Sequence, residues 1–183
     1  MPDKNLYYIA IVAPEPILSE VKAFKHEMRE KFNAKHALKS PAHITLQMPF
    51  KLPKNQEPDL TTALENFAKN QKGFKLKLSG FDCFAPRVVF VKVAEHEQLL
   101  RLHAAFKQFI NDKDLIPKEN ISQDMHPHMT IATRDLKKDI FPQAWGYYKN
   151  KPYEASFFAD RISLLKHNGK FWEVYREFDF ILS

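Results

Sequence analysis

Apolar and polar positions along this chain follow two periods, and the switches between them outline the elements. Residues 6–12 are a run of β-formers and predict a first strand. Pro14 and Pro16 end it. Val21, Phe24, Met28 and Phe32 then recur at helical spacing and predict a helix over 17–32. After Ser40-Pro41, residues 43–48 read as a second strand, limited by Pro49 and Pro53. A helix is predicted over 59–70, where Pro58 and Asp59 signal its start, Leu60, Leu64 and Phe67 share one face, and Gly73 closes it. Clean alternation over 74–78 predicts a half-buried strand, and 87–93 is a second, more apolar one.

The second half repeats the theme. Leu99, Leu102, Phe106 and Phe109 predict a helix over 97–111. A polar stretch through Pro117 leads to a strand over 128–132, and 136–148 is read as partly helical. Strands over 161–166 and 171–180 close the chain, joined by the hairpin signal Asn168-Gly169. Strand, helix, strand, helix, strand thus occurs twice. The expected architecture is α+β, a bilobal pseudo-twofold arrangement with a central cleft, formed by residues 1–183 as one domain of two intimately packed lobes.

Composition narrows the class. With 183 residues, 44% hydrophobic content, 16 phenylalanines and 4 glycines, the chain can bury an aromatic core. No apolar run reaches the roughly 18 residues of a membrane span. Cys83 stands alone, which excludes an intramolecular disulfide or a cysteine-rich metal site. Together with a start that lacks a basic-then-apolar leader, this predicts a cytoplasmic protein. A net charge of +6 suits an anionic ligand such as a phosphate or a short nucleic acid.

The chemistry concentrates in two tetrapeptides, His43-Ile44-Thr45-Leu46 and His128-Met129-Thr130-Ile131. On a strand, residues two apart share a face, so each motif presents an imidazole beside a hydroxyl. With 8 histidines and 5 threonines in 183 residues, chance would give about 0.2 such His-x-Thr matches. Two opposed imidazoles can serve as the general base and general acid of phosphoester cleavage, and threonine hydroxyls can donate to non-bridging oxygens. A bell-shaped pH profile is expected, and no metal or other cofactor is required.

The surroundings of these motifs resemble the 2H phosphoesterase superfamily, in particular its bacterial 2′-5′ RNA ligase or RNA 2′,3′-cyclic phosphodiesterase group. The likeness rests on residues 40–46 and 127–131, on Gly80-Phe81 followed by 87–91, on the opening residues 8–11, and on the order of the last strands. It implies two antiparallel sheets with outer helices. It also implies metal-independent opening of a 2′,3′-cyclic phosphate to a 2′-phosphomonoester, on an RNA end or a small cyclic nucleotide, with RNA ligation as the reverse reaction. By carry-over His43 would protonate the departing 3′ oxygen, His128 would activate water, and Thr45 and Thr130 would hold the phosphate. The family often follows its second motif with a small residue and an arginine. Here Thr133 intervenes before Arg134, so Arg134 is expected to point differently from the family's arginine.

Phe50, His126 and Arg134 are candidate substrate contacts, Phe50, Phe84 and Trp172 are candidates for stacking on a base, and Lys51, Lys54 and Lys166 are candidate backbone contacts. Core packing is the competing use of the three aromatics, a solvated loop position that of His126, and plain surface exposure that of the lysines. His26, His36, His96 and His103 are read as surface or packing residues. The protein is expected to be a monomer with no membrane or metal partner. Two other readings stay open: a non-catalytic RNA-end or nucleotide binding module, and a 2H phosphoesterase with another phosphoester substrate. A metal enzyme using His126 and His128 lacks an accompanying carboxylate or third histidine.

Overall fold

A computed structural model describes residues 3–181. The strands are β1 (Lys4–Val12), β2 (His43–Pro53), β3 (Phe74–Phe84), β4 (Val88–Ala94), β5 (His128–Ala132), β6 (Glu154–Ala159), β7 (Arg161–His167) and β8 (Trp172–Asp179). The helices are α1 (Ile17–Phe32), α2 (Glu57–Ala68), α3 (Glu97–Lys113) and α4 (Phe141–Tyr148). They build an α+β fold of two antiparallel sheets, ordered β2-β1-β7-β8 and β5-β4-β3-β6.

The two orders correspond. In each sheet the His-x-Thr strand lies at one edge, beside the strand that precedes it through a helix. Each sheet also borrows from the other half of the chain. β3 follows the first motif but joins the second sheet, and β7 and β8 return to the first.

Strand alternation sorts side chains to two faces. In the first sheet Tyr7, Ile9, Ile11, Ile44, Leu46 and Leu164 enter the main core, shared with the helices and with Val89, Val91, Met129 and Ile131 of the second sheet. On the opposite face Tyr8, Ala10 and Leu165 form a small cluster with Val12 and Trp172 against it. His43 and Thr45 share their parity with the second face, which faces the cleft.

Several elements run further than alternation alone suggests. β2 continues through Pro49 to Pro53, because two register shifts against β1 bulge this edge strand where the proline lies. β3 passes Leu78 by a bulge at Gly80, whose φ of +64° places it in the left-handed region that glycine tolerates. Periodicity does not reveal β6, since its six residues bury only Phe157 and Ala159. The 136–148 region is a turn followed by a helix of 8 residues.

Candidate active site

The edge strands β2 and β5 approach each other, and a cavity of about 290 Å³ opens between the sheets. His43, Thr45, His128 and Thr130 all line it, so the four motif side chains converge on one space. Tyr8, His36, Lys25, Phe84, Arg134 and Trp172 complete much of the wall.

The two histidines are held alike. His43 Nδ1 lies 2.8 Å from the carbonyl of Pro41, and His128 Nδ1 lies 2.5 Å from the carbonyl of His126. Each imidazole therefore donates its Nδ1 proton to the carbonyl two residues before it, which leaves Nε2 as the nitrogen free to accept or give a proton. Burial pushes His43 down to about 4, with Pro41 opposing and Lys25 and His128 adding to the effect. His128 is also lowered by burial, against the support of the His126 carbonyl. Both rings are thus neutral near pH 7, and an anion bound between them would raise both pKa values.

Aromatic rings fix these imidazoles from behind. Tyr8 packs on His43 with centroids 4.9 Å apart and is itself met edge-on by Trp172 at 4.6 Å. Phe84 and Phe90 lie 5.1 and 5.2 Å from His128. Phe84 is 42% exposed, so one of its faces is open to a ligand.

The expected substrate contacts divide. Arg134 is exposed and lines the cavity from a turn with φ of +29°, and the intervening Thr133 lines it too. His126 is exposed and outside the cavity wall, reaching the site through its carbonyl. Phe50 is a correction. It is 2% exposed and packs on Tyr7 in the core, because the two register shifts between Thr45 and Phe50 together return the strand to the face of Ile44 and Leu46 and pair Phe50 with Tyr7. Lys54 pairs with Asp3, and Lys166 is engaged by Glu57 at 2.8 Å, so two of the expected backbone contacts are committed elsewhere. His36, read as a surface or packing residue, lines the cavity.

Lys25, which lines the cavity, and Gln47 and Asp135, which brace the segments around it, belong to no motif. Lys25 is 2% exposed, and its Nζ donates to the carbonyl of Ser40 at 2.9 Å. Its sequence signal is a cation within the stripe Ile17, Val21, Lys25, Met28, which is buried throughout. Burial first, and Lys22 second, hold its ammonium down to about 8. Gln47, 1% exposed, ties the two halves: its amide donates to the Met48 and Asn120 carbonyls at 2.9 and 2.7 Å and accepts from the Ser122 N–H at 3.1 Å. Asp135 Oδ2 accepts the N–H groups of Lys35 and His36, both at 2.9 Å, and so anchors the turn before the first motif to the turn after the second. Among the described residues no group of three or more His, Cys, Asp or Glu could hold a metal ion, and no helix is long and apolar enough to cross a membrane.

Known proteins resemble this chain in sequence and in fold. Residues 13–171 match the family model described as the 2′-5′ RNA ligase superfamily. The RNA 2′,3′-cyclic phosphodiesterase of Bacillus subtilis is 27% identical over 186 residues, covering 96% of this chain and 98% of its own. A Halalkalibacterium halodurans protein, named as a phosphoesterase by inference, is 30% identical over 142 residues, covering 75% and 78%. Among solved structures, the TT0787 protein of Thermus thermophilus superposes with a TM-score of 0.67 at 19% identity, covering 96% and 97%. Escherichia coli LigT complexed with 3′-AMP gives 0.65 at 16%, covering 97% and 99%. These two share the fold.

Proposed function

Because the chain belongs to the 2′-5′ RNA ligase superfamily, we propose that it is a metal-independent phosphodiesterase opening 2′,3′-cyclic phosphates, on RNA ends or small nucleotides, to 2′-phosphomonoesters. The observation that carries this reading is the matched pair of imidazoles. Both come from edge strands, both line one cavity beside a threonine, and both spend Nδ1 on a backbone carbonyl. The name of the Bacillus subtilis relative supports the cyclic phosphate as substrate. The 3′-AMP complex of LigT supports a nucleotide here.

In the proposed reaction, one imidazole takes a proton from water as its oxygen attacks phosphorus. The bond from phosphorus to the 3′ oxygen breaks, and the other imidazole, protonated at Nε2 once the bound phosphate has raised its pKa, gives that oxygen the proton. The products are a 2′-phosphomonoester and a free 3′ hydroxyl. Thr45 and Thr130 donate to the non-bridging oxygens, where negative charge grows in the transition state. The carry-over assigns the acid to His43 and the base to His128. Replacing water by the 5′ hydroxyl of a second strand would give a 2′-5′ linkage instead.

The test is hydrolysis of 2′,3′-cyclic nucleotides and of a short RNA ending in a cyclic phosphate, with EDTA present and the product isomer identified. A 2′-phosphate product, lost in both His43→Ala and His128→Ala, is the expected result. Full activity in either variant would refute the two-histidine mechanism, and binding without turnover would identify a recognition module.

A further inference from the structure

Next to the reaction cavity lies a second one, of about 360 Å³, that shares Lys25, Ser40 and Trp172 with it. Lys22 and Lys39 stand on its walls together with Lys25, and Phe171 and Val174 are 41% and 42% exposed beside it. Its one carboxylate, Glu173, accepts a hydrogen bond from the Asn168 amide at 2.6 Å. None of the three lysines has a carboxylate within ion-pair distance among the described residues. Three ammonium groups thus face a single carboxylate.

Lys25 matters most, since it forms the partition between the two cavities. A buried ammonium with a single carbonyl partner is costly unless an anion completes its surroundings. That anion need not be the reacting phosphate, which already has two threonines and Arg134 around it. The aromatic walls, Trp172 and Phe171, offer the flat surfaces on which a base stacks.

The chemistry of the substrate says what would arrive there. A terminal nucleotide whose 2′ and 3′ oxygens are closed into a cyclic phosphate can continue only through its 5′ oxygen. The next anion along must be the 5′ phosphate, and beyond it the preceding nucleoside. Building on the cyclic-phosphate reading, the geometry points to the second cavity as the subsite for the 5′ phosphodiester and the penultimate base, so that the preferred substrate is an RNA strand of at least two nucleotides rather than a cyclic mononucleotide. A 5′-phosphorylated cyclic mononucleotide carries the same anion without the base, and Phe171, Trp172 and Val174 favour the strand over it.

The experiment compares three substrates: a 2′,3′-cyclic mononucleotide, the same with a 5′ phosphate, and a dinucleotide ending in the cyclic phosphate. It uses the wild type, the double variant Lys22→Glu/Lys39→Glu, and Lys113→Glu on α3 as a control for added negative charge. KM for the dinucleotide should lie at least about tenfold below that for the mononucleotide. This ratio should collapse in the double variant and survive in Lys113→Glu. Binding to the dinucleotide should also fall more steeply with salt, by a further slope of about 0.7 for one added phosphate contact. Equal KM values for mononucleotide and dinucleotide, or a ratio unchanged in the double variant, would overturn the subsite. A gain given in full by the 5′ phosphate alone would overturn the strand as its occupant. Equilibrium binding of the 2′-phosphate products, dinucleotide against mononucleotide, reads the subsite without turnover. Turnover of every cyclic phosphate with no length preference would sink this inference alone. Inactivity on all of them would sink the proposed reaction, while the binding comparison still decides the subsite.

Discussion

Acid should destabilise this protein through one imidazole. Burial holds His43 at about 4 in the folded protein, against about 6.5 in an unfolded chain. The unfolded chain then binds the extra proton. The contribution is therefore fully present above pH 6.5 and is lost as pH falls from there toward 4. From pH 7 to pH 4.5 the loss is about 2.4 kcal/mol, at 1.36 kcal/mol per unit of pKa difference. Solvent reaching the half-buried ring can only reduce that figure. His43→Asn removes the titration, while its amide can still donate to the Pro41 carbonyl. Urea unfolding of both proteins at the two pH values isolates the effect, because carboxylates and His128 titrate in both. The wild type should lose about 2 kcal/mol more than the variant. Declines parallel to within about 0.5 kcal/mol would mean that the His43 ring is solvated and that the electrostatic description of the site is wrong.

Three other perturbations have defined signs. Gln47→Ala should cost about 1–3 kcal/mol, because it strands the Asn120 carbonyl and the Ser122 N–H; urea midpoints measure the loss, and faster exchange of the Ser122 amide would place it. Lys25→Met should raise Tm by the equivalent of about 1–2 kcal/mol while weakening affinity for 2′-phosphate products, a trade that calorimetry and binding titration read separately. Burial opposes the charge on Glu57, but its carboxylate accepts from Lys166, Tyr175 and Tyr7, and together these partners draw it down to about 2. Glu57→Gln should therefore destabilise the protein above pH 4.5, and the difference from the wild type should shrink as pH falls toward 2.

Most of the fold is legible in the sequence because its long helices and its central strands bury regular faces. The motif site is legible for a related reason: two residues apart on a strand is a fixed geometry, so His43 with Thr45 and His128 with Thr130 must share a side. Parity alone does not remove Phe50 from the cleft, since Met48 shares its parity and lines the cavity; two register shifts that no local pattern announces turn Phe50 to the core. β6 is hidden because an edge strand with two buried residues leaves no periodic trace. Lys25, Gln47 and Asp135 are hidden for another reason. Their partners are backbone groups distant in sequence or next to a motif, and no local pattern announces such a bond. Lys25 alone leaves a sign, a cation where α1 should carry an apolar residue.

The exchange of strands between halves also orders events during synthesis. β1 lies between β2 and β7, and β7 and β8 follow all the other described strands in the chain. The second sheet has all four of its strands once β6 has emerged, whereas the first must wait for the final hairpin with one edge of β1 bare. A chain stalled or clipped before Arg161 would keep the His128 strand in a complete sheet and leave the His43 strand on half of one. Fragments of this protein should therefore be inactive and prone to aggregate, and separate expression of the two halves should not yield two stable lobes.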